Sequence, residues 1–162
     1  MLVLGDYNPL VTRHQMKLLM AAAGFLPSNT LYTVKSHPSC VIKAIDYPSL
    51  QLRVTSAPLA ELLAACDVAY TSNITSAAVD AYCSGVPVVS VLDGDAFNMS
   101  PMRGLEGVMY ITNSTELADA LRNARSLERV VATPYFCLDK GLPRWRKLLS
   151  LITQVAEQPV GV

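Results

Sequence analysis

The chain has 162 residues, 51% hydrophobic and 16% charged, and its thirteen basic and thirteen acidic residues cancel to zero formal net charge. That length fits one domain burying roughly 70% of its unfolded surface, and the composition excludes disorder. Zero net charge removes the basic field that nucleic-acid binding needs, and the longest apolar runs stop short of a membrane span.

No charged-then-apolar leader opens the sequence, and Cys40, Cys66, Cys83 and Cys137 show no C-x-x-C spacing. The expectation is a cytoplasmic protein with free thiols and no nucleic-acid partner.

Strands and helices alternate along the chain. Met1–Asp6 is an apolar run of β character, and Asn8-Pro9 then suits a helix start. Leu10, Met16, Leu19, Met20 and Ala23 fall at helical intervals up to Gly24 and Pro27, with Arg13 and His14 on the solvated side. Leu31–Lys35 reads as a second strand, Cys40–Ile45 as a short helix and Gln51–Thr55 as a third strand. Pro58–Cys66 follows as a helix with Leu59, Leu62 and Leu63 on one face.

Val68–Thr71 and Val86–Leu92 are apolar on successive residues, as buried parallel strands require. The helix between them runs from about Thr75 to Ser84 and stops at Gly85. Val108–Thr112 is a sixth strand, and Asn113 with Glu116 resembles a capping box opening the next helix. A last helix, about 143–155, spaces Trp145, Leu148, Leu149 and Ile152 for burial, with Arg144, Arg146 and Lys147 off that stripe. The pattern predicts one domain over residues 1–162, a three-layer α/β sandwich around a mostly parallel sheet of about six strands.

Ligands of such sheets bind beyond the carboxyl ends of the strands, which gathers Asp6–Pro9, Lys35–Pro38, Thr71–Ser76 and Asp93–Arg103 around one mouth. Thr71, Ser72, Asn73, Thr75 and Ser76 stand where a helix begins, and a helix N-terminus with hydroxyls attracts phosphate. Gly5-Asp6-Tyr7-Asn8-Pro9 has one glycine where a dinucleotide fingerprint needs three, and no Walker motif occurs. Asp93 and Asp95 form a D-G-D triplet without the further ligands a metal site needs. Neither a cofactor nor a metal is implied.

The K-x-H-P element at Lys35–Pro38, the later turn-helix through Thr75, Ser76 and Asp80, and G-V-P-V-V at 85–89 together resemble the donor-binding half of GT-B glycosyltransferases. The nearest resemblance is to bacterial surface-polysaccharide and capsule transferases, including polysialyltransferases and CDP-glycerol glycerophosphotransferases. It covers residues 30 to 112 well and the rest loosely.

It implies a Rossmann-like nucleotide-sugar-binding domain, the C-terminal half of a two-domain enzyme, whose missing N-terminal domain carries the acceptor site. It also implies that the complete enzyme sits in the cytoplasm, with peripheral contact at the inner face of the membrane. His37-Pro38 would be the HP motif, with His37 catalytic and Lys35 beside it. Thr75-Ser76 would be the hydroxyl pair, with Thr71 and Ser72 entering from the strand end. Asp80 would reach the ribose.

Arg103, in the long loop after the fifth strand, suits a phosphate clamp. Each residue also has a structural reading: Thr75 and Ser76 as caps, Asp80 as a surface residue, His37 as a turn residue. Two other functions share the fold, half of a nucleotide-sugar 2-epimerase and a non-catalytic nucleotide-sensing or assembly module.

Overall fold

The computed structural model describes residues 1–94, 97–124, 135 and 141–156, with side chains in the last helix described through Ser150. The strands are β1 (Leu2–Leu4), β2 (Tyr32–Lys35), β3 (Leu52–Val54), β4 (Ala69–Ser72), β5 (Val88–Val91) and β6 (Val108–Ile111). They form one parallel sheet in the order β3-β2-β1-β4-β5-β6. The helices are α1 (Pro9–Ala23), α2 (Leu59–Ala64), α3 (Ser76–Cys83), α4 (Ser114–Ala124) and α5 (Pro143–Ala156). This is the predicted α/β, Rossmann-like architecture. The chain divides into two units, Met1–Ala132 with the sheet and Thr133–Val162 with α5.

Strand alternation assigns the sheet's two faces. Val3, Val34, Tyr70, Val89 and Ile111 share a core with Met16 and Leu19 of α1 and Leu117 and Leu121 of α4. Their neighbours Leu2, Leu4, Ala69 and Val88 are also buried, and α3 packs on β4 and β5. Full burial of one such aliphatic side chain stabilises the fold by about 1.5–3 kcal/mol. The expected stop of α3 is present, with Gly85 at φ 72°, a left-handed angle that favours glycine.

Register explains where the sheet opens. β1 pairs with β4 at Leu2–Ala69 and Val3–Tyr70. Beyond that, Leu4 continues beside β2, while Thr71 and Ser72 continue beside β5. The pairing of β1 with β4 ends at that point, beside the carbonyls of Leu4 and Tyr70. Gln15 of α1 fills the gap, donating from Nε2 to both, at 3.1 and 3.2 Å. The Tyr70 hydroxyl donates to the Gln15 carbonyl at 3.0 Å, and burial pushes its pKa far above the ordinary value. This split between β1 and β4 is the topological switch point.

Four expectations are corrected. Leu10 is 69% exposed, and the buried face of α1 instead carries Thr12 and Gln15 beside Met16, Leu19 and Ala22. The two polar residues take core places because they bond backbone groups at the strand ends. His14, read as solvated, has Nε2 buried with no partner among the described residues.

Cys40–Ile45 is not a helix; only Ala44–Asp46 forms a 3-10 turn. The Cys40 N–H goes to the His37 carbonyl (2.9 Å) and the Ile42 N–H to Ser36 Oγ (3.0 Å), which removes them from any helical ladder. On α5, Trp145, Leu148 and Leu149 are more than half exposed, while the side chain of Ile152 lies outside the described residues. Periodicity located that stripe but carried no information on what covers it.

Candidate functional site

Two loops and one helix start meet where the sheet splits. Leu4, Gly5, Lys35, Ser36, His37, Pro38, Leu59, Thr75, Ser76 and Ala77 line a cleft of about 130 Å³. Five of the residues singled out in the sequence, Lys35, His37, Pro38, Thr75 and Ser76, are thus brought together from β2, the loop after it and the start of α3, across the end of β1.

Gly5 makes the close approach work. Its N–H donates to the Lys35 carbonyl at 3.0 Å, and a Cβ there would sit 3.2 Å from Ile42 Cδ1 and 3.4 Å from the His37 nitrogen.

His37 is held in a defined state. Its Nδ1 accepts from the Ser39 N–H at 3.1 Å, so in the neutral ring the proton resides on Nε2. The Tyr7 ring meets it edge-on with centroids 6.2 Å apart. Lys35 Nζ donates to the Ala57 carbonyl at 2.7 Å, which anchors the ammonium. An ammonium carries three donors, so two remain for an anion.

Thr75 stands at the N-cap of α3, but its hydroxyl makes no capping bond. The first N–H groups of α3, on Ser76 and Ala77 at the cleft wall, therefore lack a side-chain cap. Uncapped amides, the helix dipole, an ammonium and an Nε2–H donor line this one cleft, and each is a group of the kind that attracts anions.

The other expected residues lie elsewhere. Thr71 and Ser72 do not enter the cleft; they are 0% and 1% exposed within the central strand β4. Ser72 Oγ donates to Asp6 Oδ2, Ser90 Oγ donates to the Ser72 carbonyl, and Thr71 Oγ1 is buried without a partner among the described residues. Asp80 is an exposed residue of α3 and not part of the cleft lining. Arg103 is exposed, its Nη1 donating to the Asn98 carbonyl at 3.3 Å, and it too lies outside that lining. The loop between β5 and β6 reaches the end of β4, where Asn73 Nδ2 donates to the Phe97 carbonyl at 3.4 Å. Asp95 lies outside the described residues.

One organising residue was placed at the mouth by the sequence but given no role there. Asp6 is 1% exposed and ties the split strands together, accepting from Ser72 Oγ and, at 2.7 Å, from the Asn8 N–H. Its own N–H donates to Thr12 Oγ1 at 3.2 Å, and that hydroxyl donates back to the Asp6 carbonyl at 3.0 Å. The one available signal was an aspartate ending a buried strand two residues before an Asn-Pro helix start.

No protein-family model and no curated protein sequence matches the chain. Solved structures do. A Methanocaldococcus jannaschii UDP-GlcNAc 2-epimerase, determined with UDP-GlcNAc and UDP, superposes over 93% of this chain and 44% of its own with a TM-score of 0.66 at 11% identity. The glycosyltransferase SnogD from Streptomyces nogalater covers 93% of this chain and 43% of its own, with a TM-score of 0.50 at 16% identity.

The chain thus has the fold of one Rossmann-like domain of GT-B-type proteins. It spans less than half the length of both neighbours. Among the described residues no helix is long and apolar enough to cross a membrane.

Proposed function

We propose that this chain is the donor-binding half of a GT-B glycosyltransferase that takes a nucleotide-activated sugar or polyol, CMP-, CDP- or UDP-linked, for bacterial surface-carbohydrate synthesis. The observation that carries this reading is the cleft itself, where the His37-Pro38 loop and the uncapped start of α3 face one another at the strand switch point. The two fold neighbours are named for a nucleotide-sugar epimerase and a glycosyltransferase, which supports a nucleotide sugar as ligand.

In the reaction, displacement at the donor's anomeric carbon or phosphorus releases the nucleotide, and negative charge grows on its leaving phosphate. His37 Nε2–H, the Lys35 ammonium, the Thr75 and Ser76 hydroxyls and the α3 amides stabilise that charge. Donors held in place before charge develops lower the barrier most. The α3 dipole acts in the same direction.

A cleft of about 130 Å³ is one wall rather than a whole site, since complete small-molecule sites enclose about 300–1,000 Å³. The opposite wall and the acceptor site belong to a missing N-terminal domain, as the neighbours' greater length supports. The better superposition with the epimerase favours a second reading, half of a nucleotide-sugar 2-epimerase. Product analysis on the two-domain protein separates the two.

Calorimetry with CMP, CDP, UMP, UDP and ADP tests the site on this chain. His37→Ala and Ser76→Ala each weaken nucleotide binding by about 1–3 kcal/mol, the cost of a lost charge-assisted hydrogen bond. Unchanged affinity in both variants would move the ligand elsewhere. The chain alone transfers no sugar above hydrolysis, because positioning across a cleft supplies about 7–11 kcal/mol in well-oriented systems and one wall cannot supply it. Turnover by these 162 residues comparable to a complete transferase would refute the half-site reading.

A further inference from the structure

We infer that the chain binds a neutral saccharide at a second site, a cavity at the amino ends of β2 and β3. That is the opposite end of the sheet from the His37 cleft, and the inference stands independently of the nucleotide reading.

The cavity measures about 390 Å³ against about 130 Å³ for the cleft, and small-molecule sites enclose about 300–1,000 Å³. The last turn of α1, the loop of residues 24–31 and the residues leading into β3 frame it. Local hydrogen bonds fix that frame. The Thr30 N–H and hydroxyl both donate to the Pro27 carbonyl, at 3.0 and 2.7 Å. Gln51 Nε2 donates to the Ser28 carbonyl at 3.1 Å, and the Tyr32 N–H donates to the Gln51 carbonyl at 3.1 Å. The walls are therefore held in place before a ligand arrives, which lowers the cost of binding.

The lining carries no charged side chain. Met20, Ala23 and Pro27 supply its apolar part, and Ser28, Thr30, Tyr32, Ser49 and Gln51 its polar part. Each of those five polar side chains can both donate and accept. Helix α1 ends here with no basic residue in its last turn, so its C-terminal partial negative charge is not offset. An anion meets an unfavourable dipole and no counter-charge, and a cation meets no carboxylate. Paired donors and acceptors beside a small apolar floor suit a sugar, whose ring presents hydroxyls at its edge and C–H groups on its faces.

Tyr32 points to a ligand directly. It is 3% exposed, and that small exposed part lies on the cavity wall. Its hydroxyl makes no hydrogen bond to a described residue, whereas the hydroxyl of Tyr70, the neighbouring core tyrosine, donates to the Gln15 carbonyl. Burial holds the Tyr32 pKa above its ordinary value, so the phenol keeps its proton and remains a donor. A polar group in so enclosed a place finds its partner in whatever fills the cavity.

Amide shifts of the isotope-labelled chain are followed during titration with glucose, galactose, maltose and lactose, with glucuronic acid as the charged control. The expected result is saturable shifts at the N–H groups of Ser28, Thr30 and Gln51 with at least one neutral sugar, far weaker with glucuronic acid. Tyr32→Phe and Gln51→Ala each weaken that binding about fivefold, the loss of one neutral hydrogen bond, with circular dichroism unchanged.

No saturable shift at these residues with any of the four sugars overturns the inference, as does equal binding of glucuronic acid. Shifts centred on Ser76 and Ala77 also overturn it, by assigning the sugar to the nucleotide cleft. Undiminished affinity in both variants does the same.

Discussion

Helices α3 and α4 begin in similar sequence and end up in opposite chemical states. At α4 the Asn113 side chain accepts from the Glu116 N–H at 2.9 Å, and Glu116 Oε2 reaches back to the Thr112 N–H and hydroxyl at 2.7 and 3.0 Å. Its leading amides are satisfied internally. At α3 the Thr75-Ser76 pair offers two hydroxyls, yet the N-cap side chain makes no bond to the helix. Its first residues line a cleft together with Lys35 and His37. The presence of capping residues therefore does not decide whether a helix start is closed. Their hydrogen bonding does, and the start left open is the one at the switch point.

The largest expected effect concerns the tie that holds this open site. Asp6→Ala leaves the buried Ser72 hydroxyl unpaired, at about 1–3 kcal/mol, and removes the partner of the half-buried Asn8 N–H, at about 1 kcal/mol. Chemical denaturation should show a loss of about 2–4 kcal/mol, large against the 5–15 kcal/mol that stabilises an ordinary domain. An unchanged midpoint would show that the split strands need no such tie.

Thr75→Asp tests the comparison by making α3 resemble α4. A carboxylate cap should stabilise the helix by about 0.5–1 kcal/mol, and by occupying the anion position it should weaken nucleotide binding by about 1–3 kcal/mol. Stability and affinity rising together would contradict the assigned role of the open amides. At the closed helix the converse holds. Asn113→Ala should cost about 1 kcal/mol in thermal unfolding and leave nucleotide affinity, read by calorimetry, where it was.

The smallest effect is on pH dependence. Hydrogen bonds from Thr112 and Asn113 lower the Glu116 pKa below the ordinary 4.5. A carboxylate with a lowered folded-state pKa stabilises above its unfolded value, and that contribution disappears as pH falls through the folded value. Glu116→Gln should therefore flatten the stability curve below about pH 4.5, measured by melts across that range.

Much of the fold was legible because its signals are local. Apolar runs such as Val86–Leu92 mark buried parallel strands, and Asn8-Pro9, Asn113 and Gly85 punctuate helices through backbone chemistry. The positions of Lys35, His37, Thr75 and Ser76 around one cleft followed from the rule for parallel sheets. What stayed hidden depends on pairing between distant segments. Thr71 and Ser72 read as hydroxyls entering the site from the strand end, but both lie inside a central strand covered on both faces, and Ser72 is engaged by Asp6, 66 residues away. Gln15 interrupts an apolar face for a reason visible only once Leu4 and Tyr70 lie side by side. Arg103 and Asp80 suited an anion site by chemistry, and their distance from the cleft is a property of loop path and helix face.

The central claim is that the open start of α3 and the His37 loop hold a nucleotide's phosphate. Amide and imidazole chemical shifts of the isotope-labelled chain, followed during titration with UDP and CMP, test it most directly. The account predicts the largest saturable shifts at the N–H groups of Ser76 and Ala77 and at the His37 ring, with α4 around Asn113 unmoved. Shifts centred instead on the groove between α1 and the 3-10 turn, around Arg13, Lys17 and Tyr47, would contradict it.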